Sequence, residues 1–503
     1  MLHHPVRALR NGPAAATVTA RHLLRGTGHV AGIPQPWRSK PAYQRALDAY
    51  QAGDLHQAEE LARKAGTPGR LLARLIAGEI ALLDQPVAPA PVLRAASGPA
   101  RVLHLVTNAL PETVAGYTVR TQGIAAAQVA AGHDVHVLSR LGFPVNRGRL
   151  EASSEETVEG VPYHRLLGRL PLRADAALRL DVARSARLVR RLRPTVLHAH
   201  SNHVNGQVGL ALRHQFGIPL VYEVRGFLEE TWLSRTGGSP ESDFYRLTRQ
   251  AETRVMQAAD AVVTLSASMR EAIIGRGVQA ERVHLVPNCV DTAWLDVPEV
   301  AAAPDLERTG PLTVGLGSTL NAYEGVDVLV EAVALLREQG ADVRLVVLGS
   351  GPAAADLAEL ADRRGLGAAA RFTGRVTRAE LVEAYQGLDV FCLPRRDLPV
   401  TRLVPPLKPV EAMAMGIPVV ASDLPPLREL LVGGGEDRGL LVRPDDPEAL
   451  AEAVSTLTDA ALRRRLGYAG RHWVRETRSW AAAATTYDAI YDELHLAHRG
   501  ETA

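Results

Sequence analysis

The stretch PPLKPVEAMAMGIPVVASDLPPLRELL, residues 405–431, carries the strongest chemical signal in the chain. Lys408 and Glu411 stand at i and i+3, so a helix over about residues 407–415 sets both on one face. Pro405, Pro406 and Leu407 lead into that helix and Gly416 stops it. The free N–H groups and dipole of a helix N-terminus favour an anion, and a lysine there adds a point charge for phosphate. A carboxylate one turn deeper can accept hydrogen bonds from sugar hydroxyls. The combination fits a nucleotide-sugar diphosphate, although a plain helical ion pair between Lys408 and Glu411 accounts for the same spacing. Lysine occurs only at Lys40, Lys64 and Lys408 in a chain that otherwise uses arginine for its cations, which singles out Lys408. Just upstream, the loop LPRRDLPVTRL adds Arg395, Arg396 and Arg402. A phosphate role is expected for Arg402, and a surface role competes with it for Arg395 and Arg396.

A second group lies nearer the N-terminus. LPETVAGYTVRT (110–121) joins a strand to a helix, and Gly116 permits close backbone approach there. Tyr117, Arg120 and Thr121 follow on that helix. HAHSNHVNG (198–206) ends another strand with His198, His200 and His203. Three histidines suggest zinc, but no recognisable motif supplies a carboxylate or fourth ligand, and no metal is expected. His200 is either a sugar contact or a satisfied structural histidine. Arg225, in YEVRGF at a strand end, is the better candidate for reaching the donor phosphates. The arginine run between Arg173 and Arg193 reads as a solvated helix face or as a docking face for anionic lipid.

These residues need elements to hold them. From residue 101, short apolar runs bounded by Gly and Pro alternate with helical stretches: RVLHLVT, DVHVLS, TVLHAH, PLVYEV and AVVTLS. This is the signature of a parallel sheet covered on both faces. The pattern pauses at 296–311 and restarts with LTVGLGS, VRLVVLG, ARFTG, DVFCLP, PVVAS and GLLVRP. The expected fold class is α/β, with two Rossmann-like parallel-sheet domains facing a cleft and ligands at the carboxyl ends of the strands. The expected organisation is a basic flexible tail over 1–40, a helical hairpin and linker over 41–98, one lobe over 99–297, a second over 310–477, and a C-terminal helix over 478–503 that returns to the first lobe. The segment PAYQRALDAYQAGDLHQAEELARKA resembles one tetratricopeptide-type hairpin, which cannot bury its own face and must pack on the chain or on a protein partner.

Composition narrows the function classes. The 503 residues suit two or three domains. The net charge of +2 argues against a dedicated nucleic-acid binder. Cys289 and Cys392 form neither a CxxC pair nor a zinc spacing. No apolar run approaches the roughly 18 residues of a membrane span, and no secretory leader is evident, so a cytoplasmic location with peripheral contact at the inner membrane face is the expectation.

EAMAMGIPVVAS with the downstream Glu429 resembles the family 4 retaining glycosyltransferases of the GT-B fold, over about residues 101–480. VPNCVD (286–291) resembles the family's Pro-Asn-Gly-Val-Asp turn, GSTLNAYEGVDVLVEA (317–332) its glycine loop, and LGSGP (348–352) and FTGRV (372–376) its base-binding loops. YEVRG, YEG and PLKPVEAMA resemble one branch of it. The resemblance implies a nucleotide-diphosphate sugar as donor, held mostly by the C-terminal lobe, and a hydroxyl acceptor on the N-terminal lobe, with no cofactor. Glu411 matches the family glutamate that holds the donor ribose, while its usual companion falls at Leu403. The family's diphosphate-gripping Arg and Lys fall at Ser318 and Glu324, so both cations are missing. Glu324 reads as an acid preceding a helix N-terminus, turned away from the phosphates.

The implied donor residues are Gly116, Gly317, Ser318, Gly349, Gly374, Arg375, Val376, Arg395, Pro406, Leu407 and Glu411. Lys408, Arg402 and Arg225 are expected to carry the chemistry, and Tyr117, Arg120 and His200 to face the acceptor. The expected activity is metal-independent retaining glycosyl transfer in glycan, polysaccharide or glycolipid synthesis. A non-catalytic nucleotide-sugar binder and an epimerase on the same fold are the alternatives.

Overall fold

The computed structural model describes residues 5–25, 37–89, 91–93, 99–296, 310–433 and 435–500. The pause in the strand pattern falls mostly outside these residues, as does part of the linker expected before residue 99. Contacts divide the chain into two compact units. One holds the described residues through Thr264, the segment Ile273–His284 and the chain from Ala484 onward; the other holds Leu265–Ala272 and Leu285–Ala483.

The first unit is built on an eight-stranded sheet in the order β3-β4-β2-β1-β5-β6-β7-β8. Its strands are β1 (Arg101–Val106), β2 (Asp134–Ser139), β3 (Glu155–Val158), β4 (Val161–Arg165), β5 (Val196–His200), β6 (Leu220–Glu223), β7 (Ala261–Thr264) and β8 (Val283–Leu285). Strands β5, β6 and β7 are buried at every position, as expected for apolar runs covered by helices on both faces. The pairs among β4, β2, β1, β5, β6 and β7 are all parallel. The β3–β4 hairpin is antiparallel and was not expected from the sequence. It is short, half-exposed and contains Pro162, features tolerated at a sheet margin that leave little apolar signal.

The N-terminal region differs from a flexible tail. Pro5–Arg25 is a helix. Its Ala14 is buried with Leu141, Val145, Leu167 and Leu170, and Asn11 donates to the Leu150 carbonyl at 2.7 Å. Arg21 donates to the carbonyls of Pro171 and Leu172, and Arg25 pairs with Glu79. Two of the tail's basic residues are therefore occupied within the unit. Helices Pro41–Ala52, Leu55–Arg63 and Gly66–Leu83 follow, and Gly53 at φ +87° makes the first turn. Their apolar faces close over Phe244, Leu247 and Ala251 of the helix Asp243–Ala258, so the hairpin finds its missing partner in its own unit. The C-terminal helix Trp480–Gly500 brings Tyr487 and Tyr491 to full burial in the same unit. Among the described residues, no helix is long and apolar enough to cross a membrane.

The second unit is a six-stranded parallel sheet in the order β11-β10-β9-β12-β13-β14. Its strands are β9 (Leu312–Gly317), β10 (Val343–Leu348), β11 (Ala370–Phe372), β12 (Val390–Leu393), β13 (Val419–Ser422) and β14 (Gly439–Val442). The chain leaves β9 towards β10 and β11, then returns to its other side at β12, so the order reverses between β9 and β12. Ligands in such sheets sit outside the carboxyl ends of the strands at that reversal.

The helix Lys408–Ala414 stands there and is held from behind by Ala460–Thr477. The two chains approach so closely that a Cβ built on Gly467 would lie 2.0 Å from the Gly416 carbonyl oxygen. Replacing Gly467 by alanine therefore forces backbone apart. The expected outcome for Gly467→Ala is a loss of about 1–3 kcal/mol in urea denaturation, the usual range for overpacking. An unchanged midpoint would show that this crossing does not set the position of the Lys408 helix.

Candidate active site

In the second unit, the residues at the strand ends converge on one side chain. β9 ends at Gly317, where a Cβ would lie 2.7 Å from the Tyr385 hydroxyl. Ser318 follows and donates its N–H to the Leu348 carbonyl at the end of β10. Gly349, at φ +123°, packs so tightly on that turn that a Cβ would fall 1.9 Å from the Ser318 carbonyl oxygen. Gly349 also donates to the Gly374 carbonyl at 2.9 Å, which ties in the loop after β11. Three expected donor residues, Ser318, Gly349 and Gly374, are thus stitched together by backbone hydrogen bonds. Arg375 is exposed and Val376 half-buried just beyond them. Pro406 and Leu407 are half-buried ahead of the Lys408 helix.

Lys408 reaches across to this turn. Its Nζ donates to Ser318 Oγ at 2.6 Å and lies 3.4 Å from Glu324 Oε1. Ser318 and Glu324 are the two positions at which the family resemblance implies an arginine and a lysine. Lys408 thus brings a cation to the place where two appeared to be missing. The ion pair runs to Glu324, across the loop, and not along the helix to Glu411. Glu324, expected to be turned away from the phosphates, is instead buried against Lys408 and lies 3.5 Å from Arg395 Nε. Burial alone would raise the Glu324 pKa, but Lys408 and Arg395 outweigh it and hold the carboxyl below its ordinary value.

The three loop arginines part company. Arg395 is buried, donates to the Val404 carbonyl at 3.0 Å and faces Glu324. Arg396 pairs with Asp327 and Asp445. Arg402, expected to join Lys408, is more than half exposed and paired with Asp397. Its charge is already met there, and exposure screens what is left. Glu429 accepts from the backbone N–H groups of Ala267 and Ser268, so it caps a helix and does not join the Lys408 group. Glu411 is half-buried, its N–H donates to the Leu407 carbonyl at 3.2 Å, and its carboxylate has no hydrogen-bond partner among the described residues. Desolvation pushes its carboxyl up to about 7, against the opposing pull of Lys408 and Arg378.

The first unit holds a second charged cluster at the end of β6. The Glu223 carboxylate is fully buried. It accepts from Arg120 Nε at 3.0 Å, from Arg225 Nε at 2.6 Å and from the Tyr487 hydroxyl. Burial opposes its ionisation, but Arg120 and Arg225 outweigh that and hold it well below the usual carboxylate range. Arg225 also donates to the Tyr117 carbonyl at 2.6 Å and Thr121 Oγ1 at 2.8 Å, while its Nη2 is buried without a hydrogen-bond partner. Arg120, expected on the acceptor side, is buried and also donates to the Tyr487 hydroxyl. Tyr117 is 42% exposed and its hydroxyl accepts from Asn108. Gly116 is exposed, and nothing within 4 Å would obstruct a Cβ there.

The histidines join this cluster. His200 Nε2 and His104 Nδ1 are 2.8 Å apart, and His104 Nε2 meets Gln128 at 2.8 Å. His198 meets the Tyr491 hydroxyl at 2.9 Å and Glu223 at 3.2 Å. Ligand atoms of His104, His198 and His200 lie within 4.8 Å of one another, as a metal site would require. However, two guanidiniums already surround the one carboxylate, and a divalent cation would add to unbalanced positive charge. Burial drives the pKa of His104 down to about 3 and that of His200 well below its ordinary value, so both are neutral. Glu223 was missed by sequence reasoning, although a lone acid in the otherwise apolar PLVYEV was its available signal.

The family description "Glycosyl transferase 4-like domain" matches residues 115–289, and "Glycosyl transferases group 1" matches residues 311–460. The chain is 28% identical over 420 residues to a glycogen synthase of Mycobacterium tuberculosis, covering 80% of this chain and 96% of the relative. It is 32% identical over 316 residues to a D-inositol 3-phosphate glycosyltransferase of Kineococcus radiotolerans, covering 58% and 70% of the two chains. Among solved structures, Anabaena HepE in complex with UDP superposes with a TM-score of 0.59 at 18% identity, covering 78% of this chain and 100% of that one.

The half-buried Glu411 gives a pH test. Its folded pKa of about 7 lies above the ordinary 4.5, so the folded state binds the proton more tightly than the unfolded chain. Its contribution to stability is full below about pH 4.5 and is lost as pH rises through about 7. Glu411→Gln should therefore flatten the fall in stability between pH 5 and 8 by on the order of 2 kcal/mol. Identical pH–stability curves for wild type and variant would remove this assignment.

Proposed function

The chain belongs to the group 1 glycosyltransferases, and we propose that it moves a sugar, with retention, from a nucleotide-diphosphate donor to a hydroxyl acceptor without a metal ion. One observation carries the reading: Lys408 Nζ touches Ser318 and lies beside Glu324, the positions at which the resemblance implies diphosphate-gripping cations. Anabaena HepE, with a similar fold, binds UDP, and the proposed donor for this chain is of the same chemical class. The glycogen synthase and inositol-phosphate relatives support a sugar-bearing or polyol acceptor in glycan or glycolipid synthesis.

In this reading the second unit holds the donor. Lys408 has three N–H donors, of which Ser318 and Glu324 engage two. The third is available to a phosphate oxygen. Lys408 and Arg395 together outweigh Glu324, which leaves one positive charge to meet a diphosphate. That charge stabilises the departing nucleotide, the main catalytic contribution available here. Glu411, with no protein partner, is placed to accept hydrogen bonds from the donor's hydroxyls. Arg402, already neutralised by Asp397, has the smaller share.

The acceptor, held by the first unit, attacks from the face the diphosphate leaves. Its O–H bond breaks as its oxygen bonds to the anomeric carbon, and the proton passes to the departing phosphate oxygen. No protein carboxylate is needed as nucleophile. Arg225 and Arg120, fixed by Glu223, act in this scheme as a rigid positive floor and not as mobile phosphate clamps.

Thermal-shift screening of nucleotide sugars followed by product analysis identifies the donor, since ligand at 100 times its dissociation constant adds about 2.7 kcal/mol. With that donor, Lys408→Ala should lower kcat/KM for transfer by about 100- to 1,000-fold, corresponding to roughly 2.7–4 kcal/mol. Unchanged turnover in the variant would remove Lys408 from the mechanism. Binding of nucleotide sugars with no transfer to any acceptor and no hydrolysis would overturn the enzymatic reading.

A further inference from the structure

Arg140, directly after β2, is half-buried and has no carboxylate partner among the described residues. Its guanidinium is held by neutral oxygens instead. Nε donates to Asn205 Oδ1 at 3.1 Å, and Nη2 donates to Asn205 Oδ1, Asn202 Oδ1 and Thr107 Oγ1, each at 2.9 Å. Thr107 follows β1, Arg140 follows β2, and Asn202 follows β5. The chain runs from β1 to β2 on one side and returns to β5 on the other, so these three residues mark the order reversal of this sheet.

Counting hydrogens exposes what the group lacks. Asn205 Nδ2 donates to Thr107 Oγ1 at 3.0 Å and to the His200 carbonyl at 2.7 Å. This fixes the amide orientation, with Oδ1 towards Arg140. Thr107 Oγ1 then accepts from both Arg140 and Asn205, which uses both its lone pairs and leaves its own O–H to find an acceptor. No such acceptor is present among the described residues. Asn202 Oδ1 accepts from Arg140 and from Val204 N at 3.3 Å, and its Nδ2 has no partner. Arg140 Nη1 likewise has no acceptor among the described residues. Three donors from three strand ends are therefore unmatched around one cation.

The acids that act on Arg140 at longer range are Asp181 and Glu252. Asp181 accepts from Leu141 N at 2.9 Å and Ser185 Oγ at 3.0 Å. Glu252 accepts from His203 N at 2.7 Å and the Tyr222 hydroxyl at 2.5 Å. Neither carboxylate makes a hydrogen bond or ion pair with the guanidinium. Burial lowers the Arg140 pKa to about 10, so it stays charged at neutral pH.

We infer that Thr107, Arg140 and Asn202 form a binding site for a phosphate ester carried by the acceptor, an extension that rests on the transferase reading above. A carboxylate is the poorer match. The paired Nε and Nη2 edge of Arg140, which would grip a carboxylate by two parallel bonds, is already spent on asparagine and threonine oxygens. What remains is three single donors on separate side chains, which suits a tetrahedral oxyanion with three terminal oxygens. The helix His203–Phe216, capped by Asn202, points its N-terminus towards the same strand end and adds favourable potential.

The test uses the full chain and glycerol 3-phosphate as probe, with glycerol as the neutral control. Calorimetry should show binding of glycerol 3-phosphate and none of glycerol. Arg140→Gln should weaken that binding at least 10-fold, Thr107→Val should weaken it severalfold, and Lys408→Ala should change it less than 2-fold. Unaltered nucleotide-induced thermal shifts in Arg140→Gln would show the variant to be folded, and Thr107→Val supplies the same test without touching the charge. Sedimentation with phosphatidylcholine vesicles holding 20 mol% phosphatidic acid separates a lipid headgroup from a soluble ester. Vesicle capture that depends on Arg140 assigns the headgroup, and binding of the soluble probe alone assigns the free ester. Absence of both, or loss in Lys408→Ala with none in Arg140→Gln, overturns the site. Neither result touches the Lys408 turnover test, so the two readings fail separately.

Discussion

A carboxylate withdrawn from water between two cations holds both in place but neutralises only one. Each unit uses this arrangement once at the carboxyl ends of its strands. Glu223 joins Arg120 and Arg225, and Glu324 joins Lys408 and Arg395. Removing either carboxylate would strand two buried cations, a loss of several kcal/mol by the usual cost of an unpaired buried charge. Keeping it leaves one net positive charge in each cluster, fixed by hydrogen bonds. Preorganised charge of this kind is where an enzyme stabilises a developing anion most effectively.

The sheets were largely legible because parallel strands buried on both faces are continuous apolar runs. DVHVLS and β2 coincide, and LTVGLGS exceeds β9 by one residue. What escaped reading has weak apolar contrast. The β3–β4 hairpin is short and half-solvated, and the helix Pro5–Arg25 contains Gly12 and Pro13 and no acid. That helix exists because Ala14 and Asn11 find partners more than a hundred residues away, which no local pattern reports. Tertiary contacts here override a composition that reads as a tail.

The site was legible in its residue types and less so in its pairings. Lys408 was identifiable from spacing and from the scarcity of lysine. Its partner was not, because Glu324 lies 84 positions earlier and reaches Lys408 only once β9 and the site helix are neighbours in space. The same long-range pairing explains why Glu324 suits a position where the resemblance implies a lysine. Lys408 supplies the cation there, and an acid at 324 holds it where a second cation would repel it. Ser318 completes the exchange by accepting a hydrogen bond that an arginine could not accept. The departures from the family pattern are thus one coupled change, and substituting any of the three residues alone should be worse than substituting them together.

Counts of arginine along the chain do not locate the remaining positive charge; pairing does. Arg396 and Arg402 stand in the most basic loop of the second unit, yet Asp327, Asp445 and Asp397 absorb them. The arginine-rich helix Ala174–Leu192 shows the same economy: Arg179 faces Asp175, Arg184 a backbone carbonyl and Arg191 Glu155. With an overall charge of only +2, long-range attraction of an anionic substrate is weak, and selectivity must come from local imbalance. Such imbalance is stable only where rigid neutral groups or a shared carboxylate prevent the cation from folding back onto a nearby acid. Arg140 is held by asparagines and a threonine, Lys408 by a serine and a divided glutamate. In both, the holding group is set by the ends of parallel strands, so the fold itself keeps these charges from being fully neutralised.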